Sequence, residues 1–78
     1  MDYLTESEID LMADAALVSL EHTADHRAAI RAAREYALDD LGKRPRNSAV
    51  LLAYKRAQWQ WDSIVQAHKH REAQHGMD

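Results

Sequence analysis

Leu41-Gly42-Lys43-Arg44-Pro45-Arg46-Asn47-Ser48 contains the one proline of the chain and the first of its two glycines, the other being Gly76. A glycine just past an apolar residue ends a helix in the left-handed conformation, and a proline three residues later keeps the helix from restarting at once. Asn47 or Ser48 then caps a new helix by accepting from an open backbone N–H. Residues 42–47 therefore read as the link of a helical hairpin.

Upstream of the link, Thr5-Glu6-Ser7-Glu8 matches the capping box, with Leu4 and Ile9 at the positions of a hydrophobic staple. A helix thus starts near Thr5. At about 100° per residue, Ile9, Met12, Ala13, Ala16, Leu17 and Leu20 share one face, and Leu11, Ala15 and Val18 lie nearly opposite. A helix apolar on two sides calls for neighbours on two sides, which makes Leu11, Ala15 and Val18 the expected dimer interface. The segment Glu21–Arg27 interrupts this pattern, but no glycine or proline forces a break there. From Arg27 onward the expected core stripe is Ile30, Ala33, Ala37 and Leu41, with Leu38 at its edge. Arg27, Arg31 and Arg34 flank it, as partners for an acidic strip or as solvated charges.

Downstream, Val50, Tyr54, Ala57, Trp61, Ile64, Val65 and His68 align as the core face of the last helix, with Trp61 the largest anchor. Leu52 and Trp59 point the other way, among Lys55 and Arg56. A tryptophan beside a leucine on a polar face has the character of a binding hot spot, so Leu52, Lys55, Arg56 and Trp59 are the expected partner-binding residues. The competing reading packs Trp59 against a third helix of the same chain.

The sequence thus predicts an all-α single domain over 1–78. It is an antiparallel hairpin with a first helix over 5–41, continuous or kinked, a second over 48–75, an arm at 1–4 and a tail at 76–78. Two copies are expected to form a four-helix bundle with two-fold symmetry. The alternative is a three-helix bundle broken near 22–25, in which Thr23 caps a new helix and a last helix of about 28 residues outruns its neighbours.

Composition narrows the function classes. At 78 residues without cysteine, the chain has no disulfide frame and no thiolate metal site, and self-association is the remaining way to supplement a small core. The net charge of −3 conceals a split: residues 1–26 carry seven acids and no Lys or Arg, and residues 27–78 carry ten bases and six acids. An acidic, polar start and no apolar run near 20 residues point to a cytoplasmic protein without a membrane span. Two glycines leave no phosphate-cradling loop, and Ser19, His22 and Asp25 on one helix lack a pocket and an oxyanion hole, so no enzyme is expected.

The leading expectation is a small regulator, inhibitor or adaptor that binds and blocks a protein partner. In type it resembles the short acidic all-helical inhibitors and adaptors encoded by phages and mobile elements, a likeness of class only. The alternative is a nucleic-acid or nucleotide-binding regulator whose basic tip, Lys43, Arg44 and Arg46, contacts phosphate. A second alternative is a divalent metal held by histidine. A hairpin symmetric about residues 44 and 45 sets His22 level with His68 and His26 level with Ile64, so that His22, His26 and His68 converge. Against it stands the ordinary role of histidine at a solvated helix end, and no cofactor is expected.

Overall fold

The computed structural model describes residues 3–75, with side chains described for 3–69. Three helices and no strand are present among them: α1 (Glu6–Thr23), α2 (His26–Asp39) and α3 (Asn47–His75). The first helix therefore breaks, and the three-helix alternative, not the continuous hairpin, describes the chain.

The break needs neither glycine nor proline. Ala24 takes the left-handed conformation at φ 54°, and its N–H closes α1 on the Leu20 carbonyl at 2.8 Å. Asp25 then caps α2, its Oδ1 accepting from the N–H groups of Arg27 (3.0 Å) and Ala28 (3.4 Å). Thr23 is the last residue of α1 rather than a cap for α2. Its hydroxyl donates to the Ser19 carbonyl and accepts from the Asp25 N–H, which fills the corner with polar bonds. Glu21–Arg27 lacks strong apolar residues, so nothing in packing opposes these local bonds.

The other ends follow the local chemistry. Thr5 and Glu8 exchange both bonds of the capping box, at 2.9 and 3.2 Å, and Leu4 rests against the core beside Ile9. Gly42 is left-handed at φ 63°, and Lys43 N–H reaches back to the Ala37 carbonyl. Asn47 opens α3, but its side-chain oxygen serves Arg34, whose Nη2 donates to it at 3.0 Å.

The arrangement runs up, down and up. Glu6 and Asp10 of α1 meet Arg56, whereas Glu21 near the other end of α1 lies beside Trp61, Ile64 and Val65. Hence α1 and α3 are parallel, and α2 runs back between their levels. The antiparallel register expected for a symmetric hairpin does not hold. Helix α1 is the central element, packing on both α2 and α3, while α2 and α3 touch each other sparingly.

The core is Ile9, Met12, Ala13, Ala16 and Leu20 from α1, Ala29, Ala33 and Ala37 from α2, and Val50, Ala53 and Ala57 from α3. Ala29 and Ala53 join stripes that the periodicity centred elsewhere. Ile30, Leu41, Tyr54 and Trp61 pack at the rim rather than inside, and Leu38 is exposed. Both neighbours of α1 use its one broad face, so Leu11 (43% exposed) and Val18 (52%) point outward with Ala15 half-buried between them. The chain's own helices thus leave the expected dimer stripe of α1 uncovered. At about 1.5 Å per residue α3 is roughly 43 Å long against about 27 Å for α1, and the molecule measures 55 × 21 × 17 Å.

The corner at Ala24 sets an expected outcome. An L-residue held in the left-handed region costs about 1–2 kcal/mol, and glycine relieves most of it. Ala24→Gly should therefore raise the melting temperature by roughly 4–8 °C for a gain near 1 kcal/mol. Gly42→Ala should lower it comparably, although a Cβ at Gly42 would meet nothing within 4 Å. Thermal denaturation followed by circular dichroism reads both.

Candidate functional site

Nothing in the bundle interior offers a site, because no buried polar or charged residue is present among the described residues. Chemistry is confined to the surface, and two features of it come from α3. The first is the outward strip expected from the sequence. Trp59 is 77% exposed and Leu52 39% exposed, so Trp59 packs against no third helix of its own chain. Leu52 also lines a groove of about 500 Å³ with Tyr3, Leu4, Ile9, Arg46, Ser48 and Ala49. Trp59 borders a second groove with Asp10, Ala13, Asp14, Arg56 and Gln60.

The expected cationic rim is only half present. Arg56 donates from Nη1 to Asp10 and from Nη2 to Glu6, each at 2.6 Å. Those two carboxylates raise the guanidinium above its ordinary pKa, Glu6 contributing most. Arg56 is thus the clamp that holds α3 to the start of α1, and its charge is balanced within the chain. Lys55 stays exposed beside Leu52 and Trp59. The patch is mainly an apolar and aromatic surface on a helix fixed in place by a fork-shaped ion pair.

The basic tip is also drawn into the fold. Lys43 Nζ sits 2.8 Å from Glu8 and donates to the Tyr3 carbonyl at 3.0 Å. This bond, followed by the Thr5 backbone N–H, holds the Glu8 carboxyl below the usual glutamate range. Lys43, the first of the tip residues Lys43, Arg44 and Arg46, therefore spends its charge on tying the link to the N-terminal arm. Arg27 and Arg31 are exposed on α2.

The histidines do not converge. His26 Nδ1 lies 2.6 Å from the Tyr54 hydroxyl, the rings edge to face at 5.8 Å, so His26 meets the first third of α3 rather than Ile64. His22 and His68 are exposed, and no group of three His, Cys, Asp or Glu among the described residues is placed to hold a metal ion. The register that brought His22, His26 and His68 together assumed one long antiparallel helix, and the corner at Ala24 removes it. The side chain of His75 lies outside the described residues.

The second surface feature was not expected as one. Trp61, Ile64 and Val65 are only half-buried, and with Glu21, His68 and Lys69 they frame a groove of about 600 Å³. The sequence makes Trp61 the largest anchor on the core face of the last helix. It lies instead where α1 ends, because α3 is longer than either neighbour. The available signal was the length mismatch in the three-helix reading.

The ion pairs give a pH dependence with a definite sign. Glu8 is depressed in the folded chain, so its contribution is full above the usual glutamate range and is lost as pH falls through the lower folded value. Acid titration of stability should show this loss in the wild type and not in Glu8→Gln. The advantage of the wild type over the variant should be full above the usual carboxylate range, fade below it, and be smaller in high salt.

Comparison with protein-family models, with curated proteins and with solved structures returns no match to this chain.

Proposed function

We propose that this chain is a non-enzymatic protein-binding module that presents Trp59 and Leu52, with Lys55 at their edge, to a protein partner. The observation that supports this reading is the 77% exposure of Trp59 on a helix that Arg56 fastens to α1 at two points. A tryptophan held outward costs solubility and gives the fold nothing, yet it offers a rigid amphipathic anchor with only two side-chain torsions to order on binding. Leu52 and its groove lie about two turns away on the same strip and extend the anchor into a continuous contact. Binding of this kind blocks or bridges the partner by occupying its surface; the chain needs no cofactor for it.

Arg56 has a structural role in this reading and Lys55 a contact role. The two are separable. Arg56→Gln should lower the melting temperature, by an amount that shrinks in high salt. Lys55→Ala should leave stability within about 0.5 kcal/mol of wild type.

Capture from a native lysate by the full chain, compared with Trp59→Ala, tests the proposal. The variant should melt within about 0.5 kcal/mol of wild type, since an exposed side chain contributes little to the fold. It should lose the proteins that the wild type retains. Retention of the same proteins by both would move the contact elsewhere. Recovery of nucleic acid that weakens steeply with salt would favour Arg44 and Arg46 over Trp59.

A further inference from the structure

The core is thin for a chain that must stand alone. Among the described residues, seven of the eleven buried hydrophobic residues are alanine, and the largest fully buried side chains are Met12, Leu20 and Val50. Alanine lets helices approach closely but removes little apolar area from water. The surface reflects this. The chain exposes 5736 Å², whereas a compact monomer of 8.9 kDa exposes about 4800 Å². The excess, about 900 Å², is close to the roughly 800 Å² that each partner contributes to a standard interface.

The groove of Trp61, Ile64 and Val65 is the place where the core face continues without cover. These residues prolong the line of Val50, Ala57 and Tyr54 along α3 up to the level at which α1 ends. Both signs of charge frame it, Glu21 from α1 and Lys69 from α3, and no ion pair joins the two within the chain. We infer that this groove is a two-fold interface in which α3 of a second copy lies antiparallel across it. A contact centred between Ile64 and Val65 sets Ile64 of one copy against Val65 of the other and Trp61 against His68. It also brings Glu21 of each copy toward Lys69 of its mate. Such a surface is self-complementary, as a two-fold contact requires.

The outward stripe of α1 is another apolar surface, and it suits self-association less well. Leu11, Ala15 and Val18 stand in the stretch of residues 1–26, which has seven acids and no Lys or Arg. A two-fold contact there sets acid against acid, which disfavours pairing. The inference is independent of the Trp59 surface, because Trp59 and Trp61 lie on nearly opposite sides of α3.

Sedimentation equilibrium of the full chain, from low to several hundred micromolar, is the test. The wild type should be a reversible dimer. Ile64→Glu should weaken it about 30-fold or more with helicity retained, and Val18→Glu should leave it unchanged. Lys69→Glu, an exposed change that leaves the core alone, should weaken the dimer, and adding Glu21→Lys should restore it. In a Trp59→Phe background, Trp61 emission should shift to shorter wavelength as the dimer forms. A chain that stays monomeric throughout the range overturns the inference. So does a dimer that Val18→Glu dissociates and Lys69→Glu does not.

Discussion

The left-handed turn at Ala24, locked by the Asp25 cap, is the constraint on which the rest of the molecule depends. It reverses the chain within two residues and uses side-chain oxygens, not glycine, to satisfy the exposed N–H groups at the start of α2. Once the reversal is there, the glycine corner at Gly42 turns the chain again and brings α3 alongside α1 in the same direction. Parallel packing then decides which charges meet. Arg56 reaches Glu6 and Asp10 because the first third of α3 lies level with the first turns of α1.

Alanine shapes the packing that this topology permits. α2 is covered by Ala29, Ala33 and Ala37 alone among its fully buried residues, so it lies close to α1 without contributing bulk. Its side-chain hydrogen bonds to α3, His26 with Tyr54 and Arg34 with Asn47, are exposed. The large aromatic residues are pushed outward as a result: Tyr54 and Trp61 to the rim, Trp59 into solvent. A fold whose interior takes small residues displays its large ones, and display of that kind is what a recognition surface is made of.

Much of this was legible in the sequence, and the rest was hidden for identifiable reasons. The Thr5–Glu8 box, the stop at Gly42, the start of α3 and the buried line of Ile9, Met12, Ala13, Ala16 and Leu20 follow from local patterns whose chemistry lies within a few residues. The break at Ala24 leaves little trace in the sequence, because alanine is a strong helix former and tolerates the left-handed region only when neighbouring bonds hold it there. The parallel pairing of α1 with α3 depended on that break, and with it went the expected convergence of His22, His26 and His68. The Leu52 and Trp59 strip could be read because it contradicts its own polar face. The role of Arg56 could not, since its partners stand 46 and 50 residues away.

Those separations also order events in time. The α1–α2 pair closes over two residues and can zip together almost as fast as the helices themselves form. The ion pairs of Lys43 with Glu8 and of Arg56 with Glu6 and Asp10 span 35, 50 and 46 residues, so they wait for α3 to swing in and dock. Opposite charge on the two bodies draws that docking together over several ångströms, whereas the alanine faces act only at contact. The acidic start of the chain is in this sense the counter-charge that the cations of the link and of α3 meet, from 35 to 50 residues away.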